Sequence, residues 1–494
     1  LRGLPEARYP VAFEGGLDVP AADGGPLKTD HYIPVGEGAF PTLLVASPYS
    51  RGFPWAATFG VAFAEQGFHV VLQSRRGTGG SGGTFAPWRD EAADGHATVR
   101  WLREQDWFTG VLGTIGASAQ SHASAALAQD PPPELRASVA IVPLHDPHAF
   151  FYTGGVFNLE NALIASTTMV HEGRMTAAHV ADLVRLSRRL RKGVRVDEVT
   201  EPSFLREAVA HPEPGDAHWA GAKVTPRVPT CLISGWQDVT LDQAVRDHEA
   251  LRDAAIPSRL VVGPWTHTTA LSQGLPDVFD AAVTWLRTHL TEEFPAPAAP
   301  LRLHISGEWR DLPAWPDAPP TRPAPQGGPA ANSGTNGPEL QVTAGKELPA
   351  TVRTEPGRAV PSVGGALLSA RGGVKRDDRL AAHEDVLVFE SAPLAEPVEI
   401  VGIVAVRVRL SGHGVLFVRL SDVAADGRSR NVCDGVTRTG GGEVVVRLGA
   451  VGHRFDAGHR LRVTVSGPPV PRYAAGGEPG FTVATPPELL VGEG

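Results

Sequence analysis

Short, mainly apolar runs separated by helical segments constrain the N-terminal part of this chain more than any other feature. They are Leu43-Leu-Val-Ala46, His69-Val-Val-Leu-Gln73, Leu112 to Ile115, Ser138-Val-Ala-Ile-Val142, Thr230-Cys-Leu-Ile-Ser234 and Arg259-Leu-Val-Val-Gly263. Each is short for a helix and too uniformly apolar for a strand with one face in water, so they read as strands buried on both faces. Helical spacing fills several intervals: Trp55 to Gln66, Asp90 to Gln105 (with Ala93, Ala97, Val99, Trp101 and Leu102 apolar), and Phe279 to Leu290 after the last run. Strands alternating with helices build a mostly parallel α/β sheet. Ligands of such sheets bind beyond the carboxyl ends of the strands, so the residues that follow each run carry the functional interest.

The rhythm stops from about His145 to Lys223. Phe150-Phe-Tyr152, Phe157 and an amphipathic stretch from Met175 to Leu190 predict a helical insert. In that stretch Val180, Leu183, Val184, Leu186 and Leu190 are expected to face the core, with Arg185, Arg188 and Arg189 in solvent. From Asp311 to about Pro338 the chain is rich in Pro, Gly, Ala and Asn, the composition of a linker or long surface connection. Beyond it come β-branched runs broken by Gly, Asp and Pro: Val386 to Glu390, Val398 to Leu410, Val415 to Leu420, Gly442 to Leu448 and His459 to Ser466. That pattern predicts an antiparallel sandwich. At 494 residues the chain exceeds what one core holds. The expected divisions are 1–144 and 224–315 for two parts of an α/β domain, 145–223 for a helical cap, and 316–494 for the β domain.

A net charge of −9 argues against nucleic acid or an anionic membrane as the main partner. No apolar run reaches the roughly 20 residues of a membrane span. No signal-peptide pattern opens the chain, and Cys231 and Cys433 sit in apolar, strand-like settings that suit buried free thiols. A cytoplasmic protein is therefore expected, with removal of a leader before Leu1 left open. The loop Ser74-Arg-Arg-Gly-Thr-Gly-Gly-Ser-Gly-Gly83 has neither the Lys-Ser/Thr ending of a P-loop nor the dinucleotide spacing. No Cys/His spacing matches a zinc site, and His267 and His304 stand apart from other ligand types. Neither metal nor organic cofactor is expected.

Chemistry concentrates where Gly113-Thr-Ile-Gly-Ala-Ser118 runs into Ala119 and a small-residue helix. Strand, tight turn and helix in that order put Ser118 on a nucleophile elbow, with Gly116, Ala117 and Ala119 as the small neighbours the turn needs. Gln120 stands where the usual pattern has a second Gly, and Ser121 and Ser124 lie off the turn. A serine nucleophile needs a base to take its proton and an acid to orient that base. Asp238 and His267 each follow a separate buried run, giving the chain order Ser, Asp, His used by α/β-hydrolases. Asp242 is the nearest rival to Asp238, but it falls within the next helix. Acyl transfer also needs donors for the tetrahedral oxyanion. The backbone N–H of Ala119 and the hydroxyl of Tyr49 are the candidates, although on pattern alone Tyr49 reads more readily as a surface turn residue.

Taken together, Ser47-Pro-Tyr49, Arg76-Gly77, Gly116-Ala-Ser118, Gly235-Trp-Gln-Asp238 and Gly263-Pro-Trp-Thr-His267 resemble, in order, the bacterial cocaine-esterase-like hydrolases. That group belongs with the Xaa-Pro dipeptidyl-peptidases and α-amino-acid ester hydrolases. Glu308-Trp-Arg-Asp311, Pro361-Ser-Val-Gly-Gly365, Asn431-Val-Cys-Asp-Gly435 and Ala457-Gly-His-Arg460 extend the likeness over nearly the whole chain. The resemblance implies an α/β-hydrolase domain, an inserted helical cap and a C-terminal jelly roll. It also implies Tyr49 as the hydroxyl half of the oxyanion hole. Where the family has an aromatic directly after the nucleophile and a Gly three residues after it, this chain has Ala119 and Ser121. Ser74 replaces the acidic residue that usually opens the Arg-Gly loop.

The expected function is hydrolysis of a small ester or amide through an acyl-enzyme on Ser118, with His267 as general base then acid and Asp238 orienting it. Phe151, Tyr152, Trp236 and Trp265 are the expected substrate-pocket walls, with Phe150 and Phe157 nearby. Several relatives bind a substrate amine with carboxylates, and Asp146, Glu160 and Glu172 lie in the corresponding region. Three alternatives stay open: an acyltransferase passing the acyl group to an amine or alcohol, an Xaa-Pro dipeptidyl-peptidase-like aminopeptidase, and a non-catalytic binding protein. Oligomeric state is not legible in the sequence.

Overall fold

The computed structural model describes residues 3–491 apart from 175, 193, 292, 298, 316–340, 343–346, 355–358 and 475–479. Most of the connection expected over 311–338 falls outside those residues. Strands β1 (Val11–Pro20), β2 (Pro26–Pro34), β3 (Thr42–Ser47), β4 (His69–Ser74), β5 (Leu112–Ala117) and β6 (Leu135–Ile141) come first. A short hairpin, β7 (Tyr152–Thr153) and β8 (Val156–Phe157), precedes β9 (Thr230–Gln237), β10 (Ser258–Thr266), β11 (Leu301–Ile305) and β12 (Glu308–Leu312). Ten of these make one sheet in the order β1-β2-β4-β3-β5-β6-β9-β10-β11-β12. All the buried runs of the sequence lie in its parallel centre, and β1, β2 and β12 join antiparallel at the edges.

Strand order reverses at β3, which lies between β4 and β5. The loops after β3 and β5 therefore flank the crevice where open α/β sheets bind ligands. Helices α1 (Ala62–Ala64), α2 (Glu91–Leu102) and α3 (Ala119–Gln129) belong to this half. The segment between β6 and β9 holds α4 (Pro147–Phe151), α5 (Leu159–Val170), α6 (Ala177–Lys192) and α7 (Ser203–Ala210). α8 (Leu241–Asp253) and α9 (Leu275–Leu290) complete the domain, and α9 contributes Val278, Phe279, Ala282, Trp285 and Leu286 to the core beneath β3 to β6.

The buried face of α6 is rotated from expectation. Leu186 and Leu190 are buried, but Val180 and Val184 are each 45% exposed. His179 joins Leu186 and Leu190 instead: its Nδ1 donates to the Arg174 carbonyl at 2.9 Å and its ring stacks on His171, while Nε2 stays buried without a partner. One hydrogen bond and a stacked ring offset part of the cost of burying an imidazole.

The C-terminal domain comprises β13 (Gln341–Val342), β14 (Ala350–Val352), β15 (Val386–Glu390), β16 (Val398–Val423), β17 (Ser429–Thr439), β18 (Gly442–Phe455), β19 (Arg460–Ser466), β20 (Gly480–Val483) and β21 (Glu488–Val491). All their pairings are antiparallel. Two expected runs, Val398 to Leu410 and Val415 to Leu420, prove to be the single strand β16. Its first half pairs with β18, its second with β17 and β19. The turn of direction is made at Gly412, whose φ of +90° suits only glycine. This domain braces the loop that carries Asp238: Gln237 Nε2 donates to the Val432 carbonyl at 2.7 Å, and Asn431 Nδ2 donates to Gln237 Oε1 at 3.3 Å. It also holds the β7–β8 hairpin, through Arg438 N–H on the Gly154 carbonyl at 2.9 Å. Among the described residues no helix is long and apolar enough to cross a membrane.

Candidate active site

Ser118 sits between β5 and α3 with φ 55° and ψ −122°, a conformation that non-glycine residues rarely adopt. Its N–H is anchored to the Ile141 carbonyl on β6 at 2.9 Å. The turn is so tight that a Cβ on Gly116 would lie 2.6 Å from the backbone carbon of Gln120. Gln120 replaces the expected second glycine by bridging two loops. Its Oε1 accepts the Ala117 N–H and its Nε2 donates to Ser47 Oγ, both at 3.0 Å. Ser47 Oγ in turn accepts the N–H of Tyr49 at 3.1 Å. The nucleophile turn and the Tyr49 loop are thus one hydrogen-bonded unit. Ser121 is structural: its hydroxyl donates to the Ser118 carbonyl at 2.5 Å and accepts the Leu144 N–H at 3.1 Å.

His267, just past β10, brings Nε2 to 2.9 Å from Ser118 Oγ and Nδ1 to 2.7 Å from Asp238 Oδ1. A carboxylate only accepts, so Nδ1 carries the proton and Nε2 is free to accept from the serine. Asp238 has a fully buried side chain. Its second oxygen accepts from Ser234 Oγ at 2.6 Å and Thr240 Oγ1 at 2.9 Å, and Oδ1 also takes the Thr240 N–H at 3.1 Å. Burial alone raises a carboxyl pKa, but His267 and these donors outweigh it and hold Asp238 below the ordinary carboxylate range. Asp242, the rival, lies on α8 facing the C-terminal domain, 3.9 Å from Arg447, and takes no part.

Tyr49 is buried and stacks on Trp55 with ring centroids 5.2 Å apart. Its hydroxyl lies beside the Ser118 side chain and the Ala119 N–H, a first-turn donor with no intrahelical acceptor. Burial pushes the phenol pKa up, so it remains a proton donor at neutral pH. Arg75, ion-paired with buried Glu91, opposes that shift with its charge. Ser74 answers for the missing acid of the Arg-Gly loop: its Oγ accepts from Arg51 at 2.5 Å, and Arg51 also donates to the Gly79 carbonyl at 3.0 Å.

The expected pocket residues divide. Phe150, Phe151, Tyr152 and Phe157 pack in one apolar cluster with Tyr49 and Ala119. Tyr152 is held by its hydroxyl on the Ala208 carbonyl at 3.1 Å, and Phe151 lies against Trp219. Trp265 and Trp236 lie elsewhere. Trp265 lies in the sheet core, its ring filling the space over Gly263 and Gly235, where an added Cβ would lie 2.2 Å and 2.5 Å from the ring. Trp236 donates to the His304 carbonyl at 2.6 Å and lies against Gly452 of the C-terminal domain. Each carboxylate has a partner, although Glu160 keeps its second oxygen, Oε2, buried with none. Asp146 caps α4 through the Ala149 N–H, buried Glu160 pairs with Arg371 at 2.7 Å, and Glu172 pairs with Arg174 at 2.7 Å.

Sequence reasoning assigned no role to Ser47, Arg75, Ser234 or Thr240, whose hydrogen bonds and charge hold Tyr49 and Asp238 in place. Only Gln120 had left a signal, as a departure from the small-residue pattern.

Residues 23–269 match the family described as X-Pro dipeptidyl-peptidase (S15 family), and residues 294–482 match the X-Pro dipeptidyl-peptidase C-terminal non-catalytic domain. Cocaine esterase of Rhodococcus sp. (strain MB1 Bresler) is 30% identical, over 97% of this chain and 95% of that protein. Among solved structures, an α-amino acid ester hydrolase superposes with a TM-score of 0.77 at 19% identity, over 99% of this chain and 97% of its own. An aminopeptidase from the marine sediment archaeon Thaumarchaeota archaeon gives 0.75 at 18%, over 98% and 96%. At these identities the two structures speak for a shared fold: an α/β-hydrolase domain followed by an antiparallel β domain. Matched in both its domains and akin to an esterase along its length, the chain belongs to the S15 family of cocaine-esterase-like serine hydrolases.

Proposed function

We propose that the chain is an esterase or amidase that works through an acyl-enzyme on Ser118. The observation that carries this reading is the continuous relay from Asp238 through His267 to Ser118, with bonds of 2.7 and 2.9 Å. Ser118 Oγ attacks the substrate carbonyl carbon while His267 Nε2 takes its proton, and Asp238 stabilises the imidazolium that forms. The carbonyl oxygen becomes an oxyanion and displaces the resting contact between the Ala119 N–H and the Tyr49 hydroxyl, accepting from both. As the tetrahedral intermediate collapses, His267 returns the proton to the leaving group. Water then repeats the cycle and releases the acid.

The acyl group faces the cluster of Phe150, Phe151, Tyr152 and Phe157, so an uncharged apolar or aromatic acyl group is the proposed class. A substrate ammonium would find Asp146 and Glu172 already paired with cations; Glu160 pairs through Oε1 alone and keeps Oε2 unpartnered, so the α-amino substrates below are a real competitor. The test is a panel of neutral aryl and alkyl esters and amides beside their α-amino counterparts, with products analysed in the presence of added amine. Neutral esters should turn over with the higher kcat/KM. Preference for the α-amino compounds would move the assignment to the aminopeptidase reading, and amide products formed with the added amine would move it to the acyltransferase reading. No turnover of any ester or amide would sink the proposal.

A further inference from the structure

The pattern of the sequence offers no metal ligands, yet the fold assembles a set on the cap, apart from the relay. Glu207 and His211 stand four residues apart at the C-terminal end of α7 and so share one face. The chain then turns back through a short 3-10 helix, Ala217–Trp219, and lays the ring of His218 on that of His211, with centroids 4.8 Å apart. Ligand atoms of Glu207, His211 and His218 all lie within 4.8 Å of one another, and all three residues are half-buried.

We propose that Glu207, His211 and His218 bind a borderline divalent ion of the zinc type. Two imidazoles and a carboxylate suit zinc, cobalt, nickel or copper, whereas magnesium and calcium prefer all-oxygen shells. The ring of His211 is already set for the task. Its Nδ1 lies 2.9 Å from the Glu207 carbonyl, an acceptor, so Nδ1 carries the hydrogen and Nε2 presents its lone pair. The turn is fixed independently of any ion: Trp219 Nε1 donates to the His211 carbonyl at 2.8 Å and His148 Nε2 to the Pro212 carbonyl at 2.9 Å. Metal bonds of about 2.0–2.2 Å in tetrahedral geometry put ligand atoms roughly 3.3–3.6 Å apart. The two rings stack nearly parallel, 14° apart, so binding requires the His218 side chain to turn out of the stack until its lone pair meets that of His211. Two cations lie nearby. Arg206 is 3.6 Å from the Glu207 carboxylate in an exposed pair of little strength, and Arg89 is spent on the carbonyls of His218 and Ala220.

An ion here joins α7 to the Trp219 turn, and both support the apolar cluster. Ala208 of α7 holds the Tyr152 hydroxyl, and Trp219 packs 6.0 Å from Phe151. Stiffening of the pocket wall rests on the proposed function; the binding does not. The test is titration of Co²⁺ into the metal-free full-length protein, read by its visible d–d bands, with Zn²⁺ as competitor and Mg²⁺ as control. One equivalent should bind and be displaced by Zn²⁺ but not by Mg²⁺. His211→Gln and His218→Gln should each weaken binding by about tenfold or more, and Glu207→Gln by about tenfold. Far-UV circular dichroism checks the fold, and His218→Gln is the reference should His211→Gln loosen α7. Absence of a stoichiometric site, or unchanged affinity in folded His218→Gln, overturns the proposal; the second result would put the ion at another pair such as His171 and His179.

Discussion

Replacing Gln120 with alanine tests whether the Ser118 turn and the Tyr49 loop act as one unit, as the proposed function requires. The side chain is wholly buried and makes two hydrogen bonds between neutral groups. Truncation leaves the Ala117 N–H unpaired in the interior and removes the tie to Ser47, costing about 2–4 kcal/mol in stability. The rate effect comes through Tyr49, whose N–H and carbonyl are both held by Ser47 Oγ, at 3.1 and 3.2 Å. Losing one oxyanion donor outright costs on the order of 100- to 1,000-fold in kcat, so a displaced donor should cost about 10- to 100-fold. The assay is kcat and KM on an activated ester for wild type, Gln120→Ala, Tyr49→Phe and the double variant. Gln120→Ala should lower kcat more than it raises KM, and the double variant should be no slower than Tyr49→Phe. Wild-type kcat in folded Gln120→Ala, or losses that multiply in the double variant, would refute the coupling.

Asp238→Asn should keep the fold while lowering kcat by about 10⁴-fold, because the amide's acceptor and donor ends favour the wrong His267 tautomer; a loss under tenfold would count against the relay. Gly116→Ala should abolish activity and destabilise the elbow, since its Cβ would lie 2.6 Å from the backbone of Gln120; a crystal structure with an undisturbed turn would contradict this. Burial holds His122 down to about 3 and His248 to about 4. Unfolded, both titrate near 6.5, so as pH falls from about 6.5 to 4 the unfolded chain binds protons that the native state refuses. Each ring then removes up to about 1.4 kcal/mol of stability per pH unit. Asp238, with its pKa lowered, stabilises above the ordinary carboxylate value and loses that contribution only in stronger acid. Urea midpoints should therefore already decline between pH 7 and 5; a flat profile down to pH 4 would show the histidines to be irrelevant.

How much of this was readable in advance depended on whether a residue's surroundings are local. The central strands declared themselves because burial on both faces leaves no polar position, and the triad because three strand ends of one parallel sheet must converge. Val180 and Val184 were misassigned because hydrophobic spacing cannot reveal that His179 finds a carbonyl partner on the buried face. Gly412 and Gly414 read as a break, whereas in the fold they bend one continuous strand between two sets of partners. Trp236 and Trp265 neighbour Asp238 and His267 in sequence, but proximity along a strand end does not fix direction. One reaches the C-terminal domain, the other fills the room left by glycines. The Glu207, His211 and His218 group was invisible for the same reason, since His218 joins the pair only when the chain doubles back.

The central claim is that Ser118 is the activated nucleophile. Its most direct test is the intact mass of the protein after exposure to an activated organophosphonate, with Ser118→Ala alongside. The account predicts a single adduct in the wild type and none in the variant. A folded wild type that stays unmodified by probes of different sizes, or an adduct that persists in Ser118→Ala, would contradict it.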